Sequence, residues 1–302
     1  MVNLRQATLF LLPLFIACAS SPTDGGGANR RDTGTDGDAG MDGDAGTGNE
    51  TGLTALPKAV DLSATKYFPP IGDQGDIGSC DWFAAVYYQM TYTYNRAQDR
   101  ACAATNTFSP KFGYTILNNA GPFPFNIRLP DVYQFIERHG SATIAQVPYD
   151  MAEGSNYLPW CTDGDIWQAA IPHRIAGSDY FEYRPGSTSP QSIGDFAAYV
   201  HEIKRLLSTG EVLVFQSTPA PSLTTVGTIA NDPATPDDDA RVGESIVIAG
   251  VDGPHHTMAM VGYDDHVWVD INRDGLVQAN EKGAFQGHSL YALGIFDLAP
   301  AA

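Results

Sequence analysis

Apolar positions along the chain change rhythm three times. From Ala7 to Ala17 they run without interruption around Pro13, for 11 residues. That is too short to span a bilayer as a mature helix and has the length of a signal-peptide hydrophobic region. Residues 19–53 then hold almost nothing apolar. Apolar residues return at Leu56 and persist to the C-terminus. Within that part, Trp82-Phe83-Ala84-Ala85-Val86-Tyr87-Tyr88-Gln89-Met90 is apolar nearly all round and predicts a buried helix starting near Ser79 or Cys80. Shorter helices are predicted over Ser109 to Asn118, with Ser109 as cap and Pro110 in the first turn, and over Leu129 to Arg138 before Gly140. An amphipathic helix is predicted over Ile193 to Leu207. Short apolar runs predict strands at Val212–Phe215, Ile246–Ile248, Thr257–Tyr263 and Val267–Val269. Helices in front and strands behind predict an α+β fold in place of a parallel α/β sheet.

Composition divides the chain into 1–18, an export segment, 19–55, a linker, and 56–302, one folded domain. The linker repeats Asp-Gly-Asp-Ala-Gly at 36–40 and 42–46, and its seven acids against Arg30 and Arg31 leave a net charge of -5. Such a segment cannot bury enough surface to offset its conformational entropy and is expected to be extended and self-repelling. Phe15-Ile16-Ala17-Cys18 resembles a bacterial lipoprotein cleavage box. The resemblance implies lipidation at Cys18 and a domain tethered to the outer face of a bacterial membrane. The alternative is ordinary secretory cleavage near Ala19-Ser20. The whole chain, with 17 basic and 35 acidic residues, carries -18. That excludes nucleic acid as a partner, because phosphate binding needs a basic surface.

Two segments carry chemistry. In the first, Gly72-Asp73-Gln74-Gly75-Asp76-Ile77-Gly78-Ser79-Cys80 leads into the buried helix. A cysteine at a helix N-terminus feels the positive end of the dipole, which favours the nucleophilic thiolate. Gln74 brings a side-chain amide that, with the Cys80 backbone N–H, can hold an oxyanion. In the second, His255-His256-Thr257-Met258-Ala259-Met260-Val261-Gly262-Tyr263 places an imidazole at the head of a strand. An imidazole beside a thiol activates it and supplies the general acid.

Together these segments resemble the papain-like cysteine peptidases. The resemblance rests on Gln74-Gly75, Gly78-Ser79-Cys80 and Phe83-Ala84, and on His256 standing five residues before Val261-Gly262-Tyr263. It extends to Leu56-Pro57-Lys58-Ala59-Val60-Asp61, Phe108-Ser109-Pro110 and Val147-Pro148-Tyr149-Asp150. It implies a two-lobed fold, with a helical lobe carrying the cysteine, a β-barrel-like lobe carrying the histidine, and the active site in the cleft between them. The implied activity is hydrolysis of a peptide or protein through a Cys80 thioester, with His256 as base and acid and Gln74 as oxyanion donor. His255 is the rival to His256, and the five-residue spacing favours His256.

The resemblance is incomplete. The family's asparagine, followed by Ser-Trp-Gly, is replaced by Gly283-Ala284-Phe285-Gln286-Gly287-His288-Ser289, so the third member falls on His288 or Ser289. Asp81 stands where the family has tryptophan, and its charge disfavours a neighbouring thiolate. Pro122-Phe123-Pro124-Phe125-Asn126 occupies the place of the glycine pair that lines the family's cleft. These departures keep two alternatives open: an impaired papain-like domain that binds peptide or protein, and a thiol acyltransferase.

Asp270-Ile271-Asn272-Arg273-Asp274-Gly275-Leu276-Val277-Gln278-Ala279-Asn280-Glu281 matches a 12-residue calcium loop. Oxygens from Asp270, Asn272 and Asp274 fall at positions 1, 3 and 5, glycine at 6, and Glu281 at 12. Leu276 would contribute its carbonyl and Gln278 would act through water. No long helices flank the loop, so structural Ca2+ is expected, with no cofactor required for the chemistry. In an exported chain disulfides persist. The resemblance implies a bridge at Cys161, for which Cys102 is the expected partner. The expected protein is a monomer that meets a membrane only through its lipid anchor.

Overall fold

The computed structural model describes residues 7–10, 55–119, 121, 128–150, 158–217, 224–234, 240–250, 256–278, 281–289 and 292–297. Cys18, nearly all of the linker, His255 and Pro122–Asn126 lie outside the described residues. The chain divides into one unit of Met1–Leu14 with Leu56–Ala302 and a second of Phe15–Ala55.

The front of the folded unit is helical. Helix α1 (Cys80–Trp82) runs into a π-helix (Phe83–Met90) and then into α2 (Thr91–Ala97). An ordinary α-helix was expected here; the middle eight residues are instead wound with the wider π pitch. The Thr91 N–H reaches back five residues to the Val86 carbonyl, and the Thr91 hydroxyl takes the same oxygen at 3.3 Å. The wider turn distributes two kinds of side chain. Phe83, Tyr87 and Tyr88 enter one core, while Ala84, Ala85, Val86 and Met90 enter another. This second core gathers α3 (Pro110–Leu117), α4 (Leu129–His139) and α5 (Gly164–Ala170) through Phe112, Tyr114, Val132, Ile136 and Ala170. Ser109 occupies the cap position of α3, but its buried hydroxyl makes no cap bond and has no hydrogen-bond partner among the described residues. Gly140 ends α4 at φ 72, a conformation that favours glycine.

The remaining elements are β1 (Ala7–Phe10), β2 (Ala59–Asp61), β3 (Asp179–Tyr183), β4 (Ser192–Ile193), α6 (Phe196–Ser208), β5 (Leu213–Ser217), β6 (Thr224–Thr228), β7 (Ser245–Gly250), β8 (His256–Trp268), β9 (Lys282–Ser289) and β10 (Ala292–Asp297). Among the described residues the strands form one mixed sheet in the order β4-β3-β1-β5-β8-β9-β10-β7-β6, with β2 added to β8. Among the described residues the path is open, with β4 and β6 at its ends, so the β part is a sheet that does not close into a barrel. Strand β1 falls inside the apolar export segment and pairs in parallel with both β3 and β5. The two predicted strands Thr257–Tyr263 and Val267–Val269 merge into the single long β8, which ends at Trp268.

The fold is α+β, with the π-helix between two cores. Leu213, Phe215, Met258 and Met260 pack under α6 residues Ile203 and Leu207 and against Phe83 and Tyr88. Strand β2 lies against β8 because Gly262 lacks a side chain: a Cβ there would run into the Val60 carbonyl oxygen. Two distant markers, Ala59-Val60-Asp61 and Val261-Gly262-Tyr263, are thus halves of one contact.

Candidate active site

Cys80 is the first residue of α1, after Ser79, whose backbone opens the helix. The loop ahead of it is held by the helix it feeds. Tyr87 Oη donates to the Pro70 carbonyl at 2.9 Å, and the Gly72 N–H donates to Tyr88 Oη at 3.1 Å. Tyr149 closes the loop from the other side. Its hydroxyl donates to the Gln74 carbonyl at 2.9 Å and sits 2.9 Å from Ser79 Oγ, while its ring meets Phe83 edge-on. Gln74 is buried, and its side-chain Nε2 donates to the Ile77 carbonyl at 3.0 Å. One of its two amide hydrogens is therefore used inside the loop.

His256 opens β8 opposite Ser217 of β5. The next residue, Thr257, faces the helix. Its hydroxyl donates to Asp81 Oδ1, and its backbone N–H and side chain hydrogen-bond to the Cys80 sulfur. Gln216, opposite Thr257 on β5, reaches Asp81 Oδ1 and Thr257 Oγ1, each at 3.3 Å. The cysteine segment and the histidine strand, 176 residues apart between Asp81 and Thr257, meet at this cluster.

Electrostatics run against the thiolate that the helix dipole favours. Burial, reinforced by the Asp81 charge, pushes the Cys80 thiol up to about 11, and the hydrogen bonds from Thr257 and the Asp81 backbone only partly oppose it. Burial pulls His256 down to about 4. At neutral pH the two rest as thiol and imidazole.

The other predicted residues fall as follows. His288 stands on β9 with its backbone opposite Ala259, three residues along β8 from His256, and Ser289 follows it. The bridge between Cys102 and Cys161 is absent, and both are free thiols. They lie in different settings. Cys102 Sγ is 3.1 Å from Thr107 Oγ1, whereas Cys161 packs on the helical core and accepts from Trp167 Nε1 at its carbonyl, 2.8 Å away.

The Asp270–Glu281 loop is braced by its own side chains. Asp270 accepts from the N–H groups of Asp274 (3.1 Å) and Gly275 (3.0 Å). Asp274 accepts from the Leu276 N–H at Oδ1 (2.8 Å), and from Gln278 Nε2 (2.6 Å) and Asn272 Nδ2 (3.1 Å) at Oδ2. Glu281 is only 3% exposed and takes the N–H groups of Ile271 (3.0 Å) and Asn272 (3.1 Å). Among the described residues, no three His, Cys, Asp or Glu side chains converge as a metal group.

Sequence reasoning missed Thr257 and Gln216. Their signal was modest: a polar residue at an inward position next to His256, and a glutamine closing the apolar run Leu213-Val214-Phe215.

No protein-family model matches the chain, and no curated protein matches its sequence. Among solved structures it is similar to xylellain, a cysteine protease from Xylella fastidiosa, at 17% identity over 81% of each chain with a TM-score of 0.47. It is also similar to digestive procathepsin L 3 of Tenebrio molitor larval midgut, at 11% identity, 82% of this chain, 66% of that one and a TM-score of 0.47. A third is the Amb a 11 cysteine protease of ragweed pollen in its proform, at 14% identity, 83% of this chain, 63% of that one and a TM-score of 0.42.

Proposed function

We propose that the protein is a papain-like cysteine peptidase, with Cys80 as nucleophile, His256 as general base and acid, and Gln74 with the Cys80 backbone N–H as oxyanion donors. The observation that carries this reading is the meeting of Cys80, at the head of a buried helix, with Thr257, the residue that follows His256. Both partners start neutral, so the thiol proton passes to the imidazole as sulfur attacks the peptide carbonyl. The tetrahedral oxyanion rests on the Gln74 amide and the Cys80 N–H. Collapse expels the amine, which takes the proton from His256 and leaves a thioester on Cys80. Water, deprotonated by His256, then hydrolyses that thioester. His288 or Ser289 would orient the imidazole; a dyad retains part of its rate without such a group. The test is a peptidase assay of the wild type against Cys80→Ala.

A second reading, a domain that binds peptide or protein and cleaves poorly, draws support from the thiol held up at about 11. Transfer of the acyl group to an amine in place of water uses the same thioester, and product analysis with an added amine separates it. An epoxide or iodoacetamide probe at Cys80 separates the binding reading from both.

The spacing of Asp270, Asn272, Asp274, Gly275 and Glu281 supports a structural calcium ion. Leu276 and Gln278 would complete the ligands. Cys18 at the end of the apolar run, ahead of an acidic linker, supports a lipid tether on an exported protein.

A further inference from the structure

His256 stands at the end of a ladder. It is the first residue of β8 and pairs with Ser217, the last residue of β5. Cys80 stands at an end too, as the first residue of α1. The ends of elements are where structure opens most readily. Attack on a peptide carbonyl tolerates little error, since a misplacement of about 1 Å can cost roughly a hundredfold in rate. A reacting pair built on two such ends needs a tie between them.

One rung in from His256, three side chains close a ring. Thr257 Oγ1 donates to Asp81 Oδ1, and Gln216 Nε2 donates to Asp81 Oδ1 and to Thr257 Oγ1, each at 3.3 Å. Gln216 and Thr257 face each other across the β5–β8 ladder, and Asp81 belongs to α1. The valences fit. The hydroxyl gives its one hydrogen to the carboxylate and accepts from the amide, and the amide has two hydrogens for its two acceptors. Thr257 is 4% exposed, so its hydroxyl has little water to turn to. A hydrogen bond to a carboxylate is roughly twice as strong as one between neutral groups.

The ordinary reading of Asp81 is an acid in the first turn of a helix, which suits the dipole. That reading does not account for its partners, which lie on the sheet. The Asp81 charge also works against a thiolate at Cys80. An acid that opposes the thiolate and is bonded to two strands has its use in joining helix to sheet.

We propose that Thr257 and Asp81 are positioning residues for the reacting pair: their bond ties the head of β8 to the head of α1 one residue after His256 and one residue after Cys80, with Gln216 holding the tie in line from β5. It fixes the backbone positions from which the imidazole and the sulfur reach. This rests on the reading of Cys80 and His256 as the reacting groups.

The test is cross-linking of the full chain with 1,3-dibromoacetone at pH 7. The Cys80 sulfur displaces one bromide and forms an S–C bond. A ring nitrogen of His256 displaces the other and forms an N–C bond, and the protons go to water. A single carbonyl separates the reagent's two electrophilic carbons, so the link forms only between groups a few ångströms apart. Mass spectrometry reads the ratio of Cys80–His256 link to Cys80 alkylated at sulfur alone. That ratio cancels any change in thiol reactivity from loss of the Asp81 charge. Thr257→Val and Asp81→Leu are each expected to lower it about tenfold. Thr257→Ser and Asp81→Asn, which keep the hydroxyl and the accepting oxygen, should restore most of it. If Asp81→Leu does not fold, Thr257→Val, close to threonine in shape, decides alone. An unchanged ratio in Thr257→Val overturns the proposal even if the melting temperature falls, since the bond would then serve the fold only. So does an equal loss in Thr257→Val and Thr257→Ser, or no Cys80–His256 link in the wild type. The link does not depend on peptide hydrolysis. A chain that shows these differences but cleaves nothing would sink the peptidase reading and leave the tie standing. A chain that cleaves peptide and links equally with and without the tie would sink the tie alone.

Discussion

The Tyr149 hydroxyl stands 2.9 Å from Ser79 Oγ and 2.9 Å from the Gln74 carbonyl oxygen, joining residues 70 and 75 positions apart. It is the clamp between the loop carrying Gln74 and the helix that starts at Cys80. Tyr149→Phe keeps the ring on Phe83 but strands a fully buried Ser79 hydroxyl and loosens Gln74. A lost buried hydrogen bond costs about 1–3 kcal/mol. Peptidase kcat/KM is expected to fall about tenfold, the loss for 1.4 kcal/mol of transition-state stabilisation. A melting temperature that drops with kcat/KM unchanged would show that the clamp serves the fold alone.

On the proposed peptidase reading, removing either Cys80 or His256 should end activity. Cys80→Ala and His256→Ala are each expected to abolish peptide hydrolysis, since nucleophile and base act as a unit. His255→Ala is expected to be milder. Equal losses for the two histidines in the same assay would leave the base unassigned.

The imidazole gives a stability signature that needs no substrate. His256 is held neutral down to about 4 in the fold, whereas an unfolded histidine takes a proton near 6.5. Between those values the unfolded chain binds more protons, so stability falls as pH drops from about 6.5 toward 4. The gap corresponds to at most roughly 3 kcal/mol. The melting temperature of the wild type should fall between pH 7 and pH 5, and that of His256→Ala should fall less. Parallel losses in both proteins would place the acid sensitivity elsewhere.

Gly113 makes room for the largest side chain next to the site. A Cβ on it would collide with the Trp82 ring, and Trp82 is 1% exposed, two residues after Cys80. Overpacking of this kind costs typically 1–3 kcal/mol. Gly113→Ala is expected to lower the melting temperature and to slow alkylation or hydrolysis at Cys80 by shifting the helix start. Denaturant unfolding with an unchanged midpoint would contradict the close packing of Gly113 on Trp82.

Much of this was legible because local chemistry repeats in recognisable spacings. The start of the helix at Cys80, the place of His256 at a strand head and the Gly140 stop all follow from residues that act near themselves. The π pitch did not follow, since it depends on how Phe83, Tyr87 and Tyr88 divide from Ala84 and Ala85 between two cores. Nor did the open sheet, whose order depends on pairings such as β10 with β7 that no local pattern encodes. The balance of charge at Cys80 was legible only in part. A helix N-terminus is visible in sequence, but the burial that outweighs its dipole at Cys80 is not. The Cys102–Cys161 bridge, expected from the resemblance, failed on packing that sets the two thiols in different surroundings.

Calcium is the remaining test. Asp270, Asp274 and Glu281 bring three negative charges to one short loop, with Arg273 beside them. The loop's own N–H groups donate to these carboxylates, and Gly275 and Arg273 take φ values of 72 and 65 there. Asp270 Oδ1 and Oδ2, Asp274 Oδ1 and Glu281 Oε2 each accept one hydrogen bond and keep a lone pair, so these contacts do not exclude a cation. An ion bound to the folded state alone adds RT ln(1 + [L]/Kd), about 2.7 kcal/mol at a hundredfold excess over Kd. Extracellular sites bind with Kd on the order of 0.1 to 1 mM. Millimolar calcium is therefore expected to raise the melting temperature relative to EGTA, with activity following only indirectly. Glu281→Gln should shrink that difference most, each protein being compared with itself so that the loss of the buried contacts to Ile271 and Asn272 cancels. Trp268 Nε1 lies 3.4 Å from Glu281 Oε2, so its indole can sensitise terbium luminescence that calcium then displaces. A melting temperature identical in EGTA and calcium, with no terbium signal through Trp268, would show that the side chains brace this loop without a metal.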